Sequence, residues 1–355
     1  MTSAYAEVDI AIVGLGLAGA ALAWAARAHD LRIAIIDDAA NDAASQVAAG
    51  LITPVTGGKL KPQPDFDALA KTATTHYEHV GAATAHTVLT PRPAIRVLSS
   101  EREQSAWRTL QHQQHDLIES CDVAPDYLRA EGPRVIMRDA ARVDIAGYVA
   151  ATLAHFSSSV RRNATFADEQ LDIRNDRIEL TTMKLRARHL VFCRGFRDRQ
   201  NRYFPDLQWR GAKGEILMLH CEAFDPRYTI HGNGMWMTSS GNDTVLAGAT
   251  YTWDSLDGTP TLAARHELER KAKSLIGLPF SVVDQRAAVR PIVVGRKPVI
   301  GHSSQSENLW LVNGLGSKGA LFAPRIAELA IRRILAGAPV PSEYCLQQRC
   351  SAMAQ

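Results

Sequence analysis

Residues 8–37 constrain the fold more than any other part of the chain. Residues 8–13 (VDIAIV) form a short apolar run of strand composition. The turn Gly14-Leu15-Gly16-Leu17-Ala18-Gly19 fits GxGxxG, and the alanine-rich residues 17–28 favour a helix. A second buried strand follows at residues 31–36 (LRIAII), closed by Asp37. Two strands joined by one helix make a right-handed βαβ unit with a parallel pair, and helices then cover both faces of the sheet.

Each glycine has a job in such a turn. Gly14 permits the tight bend, Gly16 lets a pyrophosphate approach the backbone, and Gly19 lets helix and strand pack closely. The first helical amides, with Leu15 and Ala18 among the turn residues, face the phosphates. Asp37, with Asp38 beside it, offers a carboxylate to ribose hydroxyls and would repel a 2′-phosphate, which disfavours NADP. The unit specifies a dinucleotide and leaves FAD and NAD in competition. Gly57-Gly58-Lys59 is not a P-loop, because Thr53 replaces the first glycine and Leu60 the Ser/Thr.

Composition narrows the class. A chain of 355 residues with 46% hydrophobic side chains can fill two cores. Its 40 basic and 37 acidic residues leave a net charge of +3 without charge blocks, so charge names no partner and a nucleic acid is disfavoured without being excluded. Cys121, Cys193, Cys221, Cys345 and Cys350 are odd in number and contain no CxxC pair, which suggests neither a disulfide framework nor a metal site. With no basic n-region before residue 8 and no long apolar stretch, no membrane span is expected and the chain reads as cytoplasmic.

Beyond Asp37 the glycine and proline density up to Pro64 predicts a long functional loop. Helices are expected at 65–80, 101–120, 143–156, 260–276 and 321–335, the last closed by Gly337 and Pro339. Strands are expected at 88–99, 160–165, 178–182, 189–193 and 309–313, and antiparallel hairpins at 214–253. The expected class is α/β. A Rossmann-like domain with a parallel sheet would comprise residues 1–80, 140–205 and 285–355. An α+β substrate domain on an antiparallel sheet would comprise 81–139 and 206–284.

A second glycine turn, residues 313–324 (NGLGSKGALFAP), feeds the terminal helix. Its amides and helix end would stabilise negative charge on a reduced flavin, with Lys318 adding charge, whereas a nicotinamide needs no such device. Upstream, Arg290 in Ala288-Val289-Arg290-Pro291 offers a guanidinium that can hold a substrate carboxylate through two parallel hydrogen bonds.

Four separated segments together resemble the glycine oxidase, D-amino-acid oxidase and sarcosine oxidase group of FAD enzymes, the DAO family. They are the GxGxxG unit ending in Asp37, residues 45–54 (SQVAAGLITP), the Gly248-Ala249-Thr250-Tyr251 run with Val289-Arg290-Pro291, and residues 314–324. The resemblance implies FAD as cofactor. It places Ala48, Ala49 and Gly50, flanked by Ser45 and Leu51, along the flavin, and Phe166 and Gly195 on the cofactor's path. Gly314, Leu315, Gly316, Ser317, Lys318, Gly319, Ala320 and Leu321 would wrap the pyrimidine edge. Arg290 would bind a substrate carboxylate, with Tyr251 and Trp236 beside the substrate.

The implied chemistry is hydride transfer from an amine or amino acid to flavin N5, with oxygen or another carrier reoxidising the flavin. Tyr251, Arg290 and Lys318 are the candidate catalytic residues, and His231 and His302 are further proton carriers to weigh. The chain departs from glycine oxidases where they present His and Tyr: the matching positions here are Gly234 and Trp236. Two other readings stand. Gly316-Ser317-Lys318-Gly319 also resembles the Gly-Ser-Arg-Gly run in the FAD domain of a bifunctional enzyme acting on wobble uridine in tRNA. A non-catalytic FAD-binding partner protein is the third.

Overall fold

The computed structural model describes residues 5–39, 43–112, 116–162, 164, 166–167 and 170–348. Its first sheet is built on five parallel strands in the order Val160–Arg162, Ile33–Asp37, Ala6–Val13, Leu185–Phe192 and Leu309–Asn313. Antiparallel strands extend it: Ile178–Leu180 and Leu171–Ile173 on one path, Val299–His302 on the other. Both faces are covered. Ile10 and Ile12 pack with helices Leu17–Arg27 and Gly319–Ala336, while Ala11 and Val13 face Phe192, Tyr203 and Leu311. Burial on two sides is why residues 10–13 and 33–36 are continuously apolar rather than alternating.

The second sheet also has eight strands, ordered Ser281–Arg290, Ala212–His220, Thr244–Gly248, Met235–Gly241, Thr229–Gly232, Ala94–Val97, Arg134–Met137 and Glu119–Ser120. Only the Thr229–Gly232 and Ala94–Val97 pair is parallel. Helix Leu262–Leu275 seals one face through Leu268, Ala272 and Leu275. On the other face Ile216, Leu246 and Ala288 meet Val47 and Ala49, so residues 47–49 sit between the two sheets.

The α/β class holds, and several elements differ from expectation. The helix expected at 101–120 is Glu101–His112, and Glu119–Ser120 is an edge strand instead. The Gln- and His-rich sequence has no apolar stripe beyond Leu110 to keep a helix on the core. Residues 113–115 lie outside the described residues, as do Thr165, the end of an expected strand, and Cys350. The Gly/Pro-rich stretch after Asp37 is not irregular throughout: it holds a short helix, Ala44–Val47, a strand Leu51–Ile52 that pairs with Ala141–Val143, and a paired Val55–Thr56 and Lys61–Pro62. The expected strand at 88–99 is split into Leu89–Pro91 and Ala94–Val97, since Pro91 and Pro93 cannot donate to a ladder. Among the described residues no helix is long and apolar enough to cross a membrane.

Candidate functional site

The GxGxxG turn is shaped by backbone contacts that only glycine allows. Gly14 has φ +99°, its N–H donates to Ile36 O at 2.8 Å, and a Cβ there would lie 2.7 Å from Cys193 O. A Cβ on Gly19 would overlap Gly14 O. Gly16 differs: its Cβ would meet only Ser45 Oγ, at 3.4 Å. Its backbone therefore faces open space. Asp37 steadies the same turn, its Oδ1 accepting the Leu15 N–H at 2.9 Å and its Oδ2 the Ala39 N–H at 3.2 Å. Each oxygen keeps acceptor capacity for a further donor. Asp38 pairs with Arg197.

A second anchor joins the parallel sheet to the terminal glycine turn. Asn313 Nδ2 donates to Gly195 O at 2.9 Å and to Asp198 Oδ2 at 2.8 Å, and Asn313 Oδ1 accepts the Gly314 N–H at 2.7 Å. Asp198, fully buried, also pairs with Arg194 at 2.7 Å. Arg194 lies over the Phe166 ring, 5.5 Å from its centroid. Gly195, Phe166 and residues 313–319 are thereby held as one wall.

These elements enclose a cavity of about 1760 Å³ between the C-terminal edge of the parallel sheet and the open face of the antiparallel sheet. That exceeds the roughly 300–1,000 Å³ of a single small-ligand pocket. Nearly every residue expected at the cofactor lines it: Gly14, Leu15, Gly16, Ala18, Asp37, Asp38, Ser45, Ala48 to Leu51, Phe166, Gly195 and Leu315 to Leu321. Gly19 and Gly314 do not line it. Gly19 serves the helix–strand contact, and Gly314, at φ +77°, turns the chain against Val293.

On the opposite wall stand Trp236, Tyr251 and Arg290. The Arg290 guanidinium lies 4.4 Å from the centroid of the Tyr251 ring and donates to Lys213 O at 3.3 Å and Thr250 O at 3.4 Å. Among the described residues no carboxylate pairs with it. Burial lowers its pKa, an effect that the Tyr251 hydroxyl partly opposes. A guanidinium stays protonated regardless, so Arg290 is a largely buried cation with no anion beside it among the described residues.

Lys318 lines the cavity, and its Nζ donates to Gln63 Oε1 at 2.7 Å. Burial first, and Lys297 second, lower its pKa. The two histidines separate. His302 lies outside the cavity lining, its Nδ1 beside Ser303 O at 3.0 Å. His231 lines the cavity, and burial, then Arg96, push its pKa down to about 3. Gly234 is not on the wall: it sits exposed in the turn between two strands with φ +72°.

Sequence reasoning missed Arg96, Ile216 and the Leu256 to Gly258 loop, all of which line the cavity. The loop is tied down by Asp257, which accepts from the buried Lys213 Nζ at 2.8 Å. The whole Ser281–Arg290 strand that delivers Arg290 was also unassigned. Its apolar residues fall in two clusters, 282–283 and 287–289, split by Asp284, Gln285 and Arg286, so no period-2 pattern marks it as a strand.

Comparison with known proteins gives the family and the fold. A tRNA 5-methylaminomethyl-2-thiouridine biosynthesis bifunctional protein of Caulobacter vibrioides is 28% identical over 372 residues, which cover 94% of this chain and 56% of that protein. The chain spans about half the length of the curated relatives it matches first. Among solved structures, iminodiacetate oxidase from a Chelativorans species superposes with a TM-score of 0.78 at 20% identity, covering 94% of this chain and 97% of that one. Glycine oxidase from Bacillus cereus gives 0.78 at 17%, covering 94% and 96%. Those identities establish the fold alone. Residues 9–333 match the family described as FAD dependent oxidoreductase, and the chain belongs to this DAO family.

Proposed function

We propose that the protein oxidises the C–N bond of a small amine that carries a carboxylate, such as an amino acid. The observation that carries this reading is Arg290, a cation with no carboxylate partner among the described residues, facing the same cavity as the two glycine turns. A substrate carboxylate would supply the missing anion through two parallel hydrogen bonds. Bound FAD would supply the hydride acceptor.

The residues present fit that cofactor. Gly16 leaves backbone open at the helix N-terminus for a pyrophosphate, and Asp37 retains acceptor capacity for ribose. Gly316, at φ +57°, has no atom closer than 3.6 Å to a built Cβ, so its backbone is also open. Residues 315–321 would flank the flavin's pyrimidine edge. The protein's own contribution is positioning: Arg290 fixes one end of the substrate, Tyr251 stacks beneath it, and Trp236 and Ile216 keep water from the reacting carbon. No side chain need act as base once the amine is neutral. We assign residues 5–80, 140–205 and 291–348 to the cofactor side and the rest to the substrate side; the division expected at 285 moves to 291, because strand Ser281–Arg290 belongs whole to the antiparallel sheet.

Purified protein is expected to be yellow, to release FAD on denaturation, and to bleach anaerobically with secondary amino acids or D-amino acids. A protein that cannot be loaded with FAD, or that no such amine bleaches, would overturn the reading. The 28% identity to tRNA-modifying relatives favours a second reading, oxidation of an amine borne on tRNA. Nucleoside analysis of a deletion strain tests it, and an unchanged tRNA profile rejects it.

A further inference from the structure

One row of the antiparallel sheet faces the cavity without being used by the carboxylate site. Register pairs Arg96 with His231, His231 with Trp236, Trp236 with Gly248, and Gly248 with Ile216. Paired residues point to the same side of a sheet. Arg96, His231, Trp236 and Ile216 accordingly all line the cavity. A Cβ on Gly248 would stand 2.7 Å from Ile216 Cγ2 and 2.9 Å from the Trp236 ring. Its absence lets those two side chains close into one apolar platform.

The platform has a polar group at each end. At one end the Arg290 guanidinium covers Gly214, where no Cβ would fit. At the other, Nε2 of His231 is buried and has no hydrogen-bond partner among the described residues. The His231 strand lies three strands from the Gly214 strand. At ~4.8 Å per strand, that separates the two ends by roughly 14 Å of backbone.

The far end carries no net charge. Arg96 gives Nε and Nη2 to Glu103 Oε1 at 3.2 and 2.6 Å, and Ser100 Oγ donates to Glu103 Oε2 at 3.0 Å. His231 is neutral at ordinary pH because burial and the Arg96 charge depress its pKa. A neutral imidazole offers one donor and one acceptor, which suits an amide, a hydroxyl or a ring carbonyl rather than a second carboxylate. Nε2 itself has almost no surface open to the cavity, so the ring meets a ligand through Nδ1, which has no protein partner among the described residues, and a ligand group that bonds it gains affinity.

We infer that His231 is a specificity-determining residue that binds the uncharged, hydrogen-bonding far end of an elongated substrate. That substrate is an amino acid whose nitrogen substituent runs across Ile216 and Trp236. The inference rests on Arg290 holding the carboxylate.

The test uses FAD-loaded protein and calorimetric binding of non-oxidisable carboxylic acids: a short one, and a long pair ending in either a primary amide or a methyl group. Wild type is expected to favour the amide over the methyl end by about tenfold, the worth of one net hydrogen bond. His231→Leu is expected to lose that preference while binding the short acid as wild type does, and His231→Gln to retain part of it. Oxidation of the matching N-substituted glycines should follow the same order. A wild type with no end-group preference, or a His231→Leu variant that keeps it, overturns the inference and leaves the Arg290 reading standing. Failure of every carboxylate to bind overturns both.

Discussion

The Tyr77 hydroxyl donates to the Ala320 carbonyl oxygen at 2.9 Å, and Pro324 is the reason that acceptor is free. In an α-helix the amide four residues on would bond Ala320 O, but proline has no N–H to give. Helix Gly319–Ala336 thus carries a proline near its start without an orphaned carbonyl, because the Phe66–Thr84 helix supplies the donor. Ala320 lines the cavity, so the bond also fixes the cofactor wall.

Tyr77→Phe should therefore cost about 1–3 kcal/mol, since it leaves a buried carbonyl unpaired while preserving the ring. Chemical denaturation of the FAD-free protein measures this. An unchanged midpoint would mean that Pro324 needs no such partner.

The second and third glycines of the first turn separate stability from cofactor binding. Gly19→Ala should lower the melting temperature of the FAD-free protein, because its Cβ would overlap Gly14 O. Gly16→Ala makes only an ordinary contact with Ser45, so the FAD-free protein should melt as wild type while FAD affinity falls by tenfold or more. Thermal melts with flavin titration check both, and parallel behaviour of the variants would contradict the assignment.

Stability should fall in mild acid. Burial, with a smaller contribution from His79, holds His76 down to about 4, and its Nε2 lies 2.9 Å from the Tyr148 hydroxyl. Burial and Arg96 hold His231 down to about 3. Both groups are neutral in folded and unfolded protein above about pH 6.5, so neither affects stability there. Below that the unfolded chain takes up protons that the folded chain refuses, and each histidine costs about 1.4 kcal/mol per pH unit until its folded pKa is reached. Denaturation between pH 7 and 4.5 should show this slope, reduced in His76→Phe; an identical slope in that variant would contradict it.

Much of the cofactor side was legible because it depends on local rules. Gly19 and Asp37 act on neighbours in one βαβ unit, and residues 313–319 form a compact turn before a helix. The substrate side depends on long-range register, which no local pattern encodes. Trp236 reaches the cavity because its strand pairs with those of His231 and Gly248, while Gly234 falls in the turn. Arg96 and His231 meet through a parallel pairing of strands far apart in sequence. Tyr77 could be read as a core residue, but its use as a donor to a proline-containing helix could not.

Arg290 carries the functional account, and the most direct measurement is the anaerobic rate of flavin bleaching by an amino acid compared with its decarboxylated amine. The wild-type protein should favour the amino acid by at least about tenfold to a hundredfold, the range for charge-assisted hydrogen bonds of about 1.5–3 kcal/mol. Arg290→Met should remove that preference by slowing the amino acid alone. Equal rates for acid and amine in the wild type, or an unchanged preference in Arg290→Met, would contradict the account.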